Sequence, residues 1–195
     1  MADQVEICNN ALIKAGGAII NSIDDETKEA RLCKASFNTS MRYVLRMHSW
    51  NCVTARATLS PLATTPDHEW SYAFAFPSDL LRFLKIYQND EYRIERKKIL
   101  ANSDTLEIKY VFDPGEELSL LDVGCAEAVA SYLAFNISYA LTQDRILKER
   151  LFSEYVEILR QTKSVDAKED PALRLDASEW EDSRYDGASR TLRDV

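Results

Sequence analysis

The feature that most constrains the fold is a nearly uninterrupted apolar stretch from Leu121 to Leu141. Val123, Ala126, Val129, Ala130, Leu133, Ala134, Ile137 and Leu141 dominate it. It approaches the length of a membrane span, so that reading has to be weighed first. Glu127, Ser131, Asn136 and Ser138 interrupt it, and no basic flank anchors it to headgroups. Its alanines permit close approach of neighbouring helices. The stretch therefore predicts the central helix of a bundle, in a chain with no place in a membrane.

Three further helices are expected around it. Val5, Cys8, Leu12 and Ala15 recur at helical steps and predict a helix from Gln4 to Lys14. Gly16-Gly17 stops it, because glycine accepts the left-handed conformation found past helix ends. A second helix, from about Asp25 to His48, carries Leu32, Cys33, Phe37, Met41, Val44 and Leu45 on one face. Lys28, Arg31, Lys34 and Arg42 form its opposite face, and Trp50 follows at the exit to cover the bundle end. A fourth helix is expected over about Asp144 to Ala167, with Ile146, Leu147, Leu151, Tyr155, Ile158 and Leu159 inward. Arg145, Lys148, Glu149, Arg150, Glu154 and Arg160 then face outward.

Between Asn51 and Phe112 the periodicity changes. Pro61 and Pro66 bracket a loop, after which Trp70 to Phe76 alternates large aromatic and small residues as a half-buried strand does. Leu80 to Tyr87, Tyr92 to Arg96 and Leu106 to Phe112 complete a small antiparallel set, with turns at Asn89-Asp90 and Asn102-Ser103-Asp104. The expected fold is thus mainly α: a helical domain over residues 1–168 with a small β insertion at about 51–112. An extended C-terminal arm, 169–195, follows. It holds eight acids against four arginines, half of the formal charge of −8 that the whole chain carries. Such a segment buries too little surface to fold alone. Trp180 and Tyr185 stand out there as contact anchors, so the arm is expected to order on docking.

A search for chemistry returns little. Cys8, Cys33, Cys52 and Cys125 are widely spaced with no C-x-x-C pair, and neither they nor His48 and His68 show metal-ligand spacing. The cysteines read as small packing residues. The first residues, Met1 to Glu6, carry acids where an export signal needs a basic and then an apolar stretch. Nucleophilic catalysis needs a base beside the nucleophile. Cys33 lies four turns from His48 along one helix, and His68 reads as a solvated loop residue between Asp67 and Glu69. No glycine-rich phosphate loop occurs. Two carboxylates facing each other across a cleft would suit glycoside hydrolysis, but 32 acids offer no way to select a pair. The expectation is a protein without catalysis, metal or cofactor. The strong basic cluster is Arg93, Arg96, Lys97 and Lys98 beside Tyr92; it reads as a charge-protected edge strand or as a docking surface.

One segment carries a resemblance. His48-Ser49-Trp50-Asn51-Cys52-Val53 is followed by Arg56-Ala57-Thr58-Leu59, then Trp70-Ser71-Tyr72-Ala73-Phe74, then Phe76-Pro77-Ser78-Asp79-Leu80-Leu81-Arg82. With the helix-rich start, this layout resembles the tail tubular protein A family, the head-to-tail adaptors of short-tailed bacteriophages. The resemblance implies a virion protein, made in the host cytoplasm, that forms a homo-oligomeric ring, twelvefold in the family's known forms. The ring would sit beneath the portal protein and above the tail nozzle protein. Arms of related adaptors reach the portal, which would give Leu175, Trp180, Tyr185 and Leu192 a portal-binding role. The β region would face the nozzle, giving Gln88 to Asp104, and within it Tyr92, Arg93, Arg96, Lys97 and Lys98, a docking role.

Charge agrees with that job. Excess negative charge discourages tight phosphate contacts, so viral DNA would pass through without specific binding. A closed head-to-tail ring needs two different complementary faces. Lys28, Arg31, Lys34 and Arg42, set against acids of the fourth helix or the arm, are the candidate subunit interface. The competing readings are a virion-associated cell-wall hydrolase and a helical bundle that binds a cellular partner through its tail.

Overall fold

A computed structural model describes residues 3–87 and 91–169. The four helices form where hydrophobic periodicity places them: α1 Gln4–Ala15, α2 Lys28–Met47, α3 Val123–Thr142 and α4 Arg145–Glu169. Asp3 caps α1, and Gly16 closes it at φ +77°, with Gly17 N–H donating to Leu12 O at 2.8 Å. That conformation favours glycine, and the sequence supplies it. The α2 helix starts later than Asp25, because Thr27 is the residue whose hydroxyl accepts from Ala30 N–H at 3.2 Å.

Helix α3 packs against all three other helices. Cys125, Ala128, Val129, Ala130, Leu133, Ala134 and Ile137 are buried along it, so a helix apolar nearly all round lies inside protein. No helix among the described residues is long and apolar enough to cross a membrane. Gly124 leaves α3 no room for a side chain against α4: a Cβ there would collide with Thr162 Cγ2. Lys14 of α1 binds Glu127 of α3 at 2.9 Å and Glu154 of α4 at 2.7 Å, tying three helices at one point.

The strand region corrects the expectation of a mainly α bundle with a small β insertion. Among the described residues helix accounts for 51% and strand for 20%, in two three-stranded antiparallel sheets, which makes this a mixed α/β fold. The first sheet has the order β1 (Thr54–Leu59), β6 (Leu106–Phe112), β3 (Leu80–Ile86). The second has the order β2 (Tyr72–Ala75), β5 (Lys98–Ala101), β4 (Tyr92–Glu95). Two of these strands, β1 and β5, are absent from the sequence reading. Strand β1 is masked by the polar Thr54, Arg56 and Thr58, and β5 is short and opens on a cationic run. With both in place the strands enclose a hydrophobic core of their own. Phe74, Ile99, Ala101, Leu106, Ile108 and Tyr110 are buried there, packed with Ala55, Ala57, Leu59 and Phe83.

Strand β6 is the shared wall between the two cores. Leu106, Ile108 and Tyr110 alternate onto the second sheet, as a period of two requires. Val111 instead belongs to the helical core, joined by Leu81 and Leu84 from β3. Arginines bolt the sheet to the end of α2. Arg46 donates to Leu81 O at 2.6 Å, and Arg82 donates back to Arg46 O at 3.2 Å. The motif Pro77-Ser78-Asp79-Leu80-Leu81-Arg82 is therefore structural: Asp79 accepts the Tyr110 hydroxyl, and Arg82 holds the helix terminus.

Candidate functional site

Strand β4 is the edge of the second sheet and is exposed at all four positions. Register pairs Glu95 with Lys98, so Arg96 and Lys97 alone form the loop to β5. Both have positive φ, 45° and 58°. This is the pattern of a type I′ hairpin turn, which asparagine and glycine fill at little cost. Two long cations in that conformation cost about 1 kcal/mol each. The turn was not legible in the sequence, because no Asn-Gly or Asp-Gly pair announces it.

The tip forms one wall of a cavity of about 460 Å³. Glu95, Arg96, Lys98 and Leu100 line one side; the loop from Thr64 to Trp70 lines the other. That brings His68 and its neighbours Asp67 and Glu69 opposite the cations. Of the five residues proposed to dock the nozzle, Arg96 and Lys98 line the cavity, while Lys97 shares the hairpin turn with Arg96. Arg93 pairs with Glu95 at 3.3 Å. Tyr92 packs edge-on against Phe83 with ring centroids 5.6 Å apart, fixing this edge on the other sheet. Gln88, Asn89 and Asp90 lie outside the described residues.

Three of the four α2 cations are engaged within the chain, Lys28 being the exception among the described residues. Lys34 binds Asp24 at 2.6 Å, and Arg42 binds Asp113 at 2.7 Å. Arg31 donates to Thr27 O and Glu26 O. On α4, Glu154 is held by Lys14, and Glu157 by Arg160 at 2.8 Å. The Arg160 and Gln161 bonds push the Glu157 carboxyl down to about 2. Arg31, Lys34, Arg42, Glu154 and Glu157, among the charges expected to meet between subunits, thus already have partners within the chain. Leu175, Trp180, Tyr185 and Leu192, the residues proposed for portal binding, lie outside the described residues.

What the sequence reading missed is an aromatic face across three helices. Tyr43 of α2 stacks on Tyr132 of α3, with centroids 4.4 Å apart and planes 11° from parallel. Tyr132 also meets Phe135 and Tyr155, and Phe152 meets both Phe135 and Tyr155. Tyr155 is buried, and its hydroxyl has no hydrogen-bond partner among the described residues. Burial first, then the nearby Tyr43 and Tyr132, hold its phenol above the ordinary range. The outer rings are open: Phe152 is 46% exposed and Tyr43 42%, with Val156, one turn beyond Phe152, at 47%. A groove of about 430 Å³ runs beside Phe135 and Phe152, edged by Lys148, whose ammonium sits 5.0 Å from the Phe135 ring centre. The spacing Tyr132, Phe135, Tyr139 was the available signal; it was overlooked because the aliphatic residues of the same helix already satisfy a core.

A second missed residue is Asp166, near the end of α4. Its carboxylate meets His48 Nε2 at 2.9 Å and accepts from Asn51 N–H at 3.0 Å. Its backbone carbonyl accepts from the Asn51 side chain at 2.9 Å. His48 also lies edge-on to Trp50. So His48 serves to fasten the α2 exit onto α4. No three His, Cys, Asp or Glu side chains among the described residues gather as a metal site.

Compared with known proteins, the chain matches no protein-family model and no curated protein.

Proposed function

We propose that this chain is a virion structural protein, a head-to-tail adaptor that assembles as a ring between a portal and a tail nozzle and works by surface fit, without turnover. The observation that carries the reading is the aromatic face ending in the open rings of Phe152 and Tyr43. A contiguous apolar patch of this kind marks a protein contact. Burying one such ring contributes about 1.5–3 kcal/mol, against about 1 kcal/mol or less for an exposed ion pair. In this proposal a second copy of the chain covers the groove beside Phe135 and Phe152, and ion pairs from α2 set register only. The cationic hairpin tip is the nozzle contact and the segment beyond Glu169 the portal contact. The net charge of −8 suits a conduit through which DNA slides.

The test is assembly of the full chain on its cognate portal ring, imaged by electron microscopy. Phe152→Glu with Val156→Glu should fold normally and fail to form an annulus. Rings formed as readily by this variant would remove the aromatic face from the account. A Lys28→Glu, Arg31→Glu, Lys34→Glu variant should weaken the annulus by no more than a few-fold.

A further inference from the structure

Strand β4 ends the second sheet, and among the described residues no strand pairs with its outer side. The two-residue turn makes Glu95 and Lys98 a hydrogen-bonded pair, and bonding alternates from there along the ladder. Arg93 therefore turns its amide and carbonyl inward to Leu100, while Tyr92 and Ile94 turn theirs to the open edge. Side chains divide by face. Tyr92 and Ile94 lie on the face of the buried Ala101 and Ile99, yet they stay 44% and 45% exposed. Arg93 and Glu95 share the opposite face and touch each other at 3.3 Å. An edge with free amides and an open apolar side chain is a template for another strand.

Charge on an edge strand protects it only if it repels what would pair there. Here the order of the charges does the reverse for one partner, a second copy of the same chain. Laid antiparallel to itself about Ile94, segment 91–97 is complementary at every position. Ile94 faces Ile94, Arg93 faces Glu95, Tyr92 faces Arg96, and Glu91 faces Lys97.

We propose that β4 pairs with β4 of a second copy across a two-fold axis at Ile94, joining two three-stranded sheets into one of six strands. The backbone fits this register, because Ile94 of each copy has its amide and carbonyl free to exchange bonds with the other. Arg93 and Glu95 of opposite copies then meet at non-hydrogen-bonded positions, where side chains approach most closely. With the Arg93–Glu95 contact inside each chain they complete an alternating quartet of charges. Moving the axis to Arg93 or to Glu95 would set like charge on like charge and offer groups already bonded to β5. The pairing covers both Ile94 side chains and brings each Tyr92 ring beside a guanidinium. Such a contact is isologous, the same patch on both copies. It uses none of the aromatic face, so it stands apart from the adaptor reading; within that reading a nozzle would displace the second copy from this edge.

The experiment is sedimentation velocity of the full chain carrying Phe152→Glu and Val156→Glu, which removes the aromatic face from the result. Between about 1 μM and about 1 mM it should show a reversible monomer–dimer equilibrium. Adding Arg93→Glu alone, or Glu95→Arg alone, sets like charges together at both matches and should weaken the dimer about tenfold or more, with melting unchanged. Mixed in equal amounts, these two variants should form a heterodimer, because one chain then carries two acids where the other carries two arginines. Both substitutions in one chain should restore self-association. Amide exchange at Tyr92 and Ile94 should slow as concentration rises, while Arg93, already bonded to β5, changes little. A chain that stays monomeric at about 1 mM would overturn the proposal and leave the edge to a different partner. Single variants that dimerise as well as their parent, or that fail to recombine when mixed, would overturn it too.

Discussion

Single side chains carry more of this structure than their types suggest. Asp166 is the plainest case, because one carboxylate holds both His48 and the Asn51 amide. Asp166→Ala leaves those donors without their acceptor and should cost about 2–3 kcal/mol, read as a lower urea midpoint at constant slope. The hairpin tip is the opposite case. Replacing Arg96 by Asn and Lys97 by Gly relieves two positive-φ residues and should stabilise the fold by about 1–2 kcal/mol. If the tip docks the nozzle, the same variant binds it less well while melting later. Equal melting temperatures would show that the turn is not strained. Neither residue role was legible beforehand, for a shared reason. Asp166 is 115 positions from Asn51, and a I′ turn built from Arg and Lys has no compositional signature.

Among the helices and strands, the balance between sequence and tertiary context shifts. Periodicity placed α1 to α4 within a few residues, because each helix shows one apolar face over several turns. It failed for β1, where the alternation Ala55, Ala57, Leu59 is too weak in hydrophobicity to stand out until β6 pairs with it. It also failed for the aromatic face, which three helices build jointly and none displays alone. The α3–α4 contact offers a sharp test. Gly124→Ala should lower stability by about 1–3 kcal/mol, because the new methyl meets Thr162 Cγ2, whose rotamer is held by a 2.8 Å bond from its hydroxyl to Ile158 O. Adding Thr162→Ser removes the obstructing methyl and should restore most of the loss; no rescue would mean the cost lies elsewhere. The Lys14 tether should show in pH dependence. Burial opposes its charge, but the bonds to Glu154 and Glu127 outweigh that and raise it above its ordinary value. A raised folded value means the tether contributes fully below the free lysine range and is lost as pH climbs through the folded value. Lys14→Met should cost about 1 kcal/mol at pH 7, and the gap should narrow in alkali.

Taken together, the chain is two cores sharing the β1-β6-β3 sheet. Val111 on one face and Ile108 on the other tie helical and strand packing to a single strand, so heat should melt both in one transition. Around that frame the described surface offers a cationic tip at one sheet edge and an aromatic face on three helices. Those are different surfaces on different elements, the first the proposed nozzle contact and the second the proposed contact between copies. The central claim is that this molecule acts by joining others, and electron microscopy of the full chain mixed with its cognate portal ring tests it most directly. The account predicts an annulus of repeated copies seated on the portal and lost with Phe152→Glu and Val156→Glu. Single particles that leave the portal bare while the purified chain turns over peptidoglycan would contradict it.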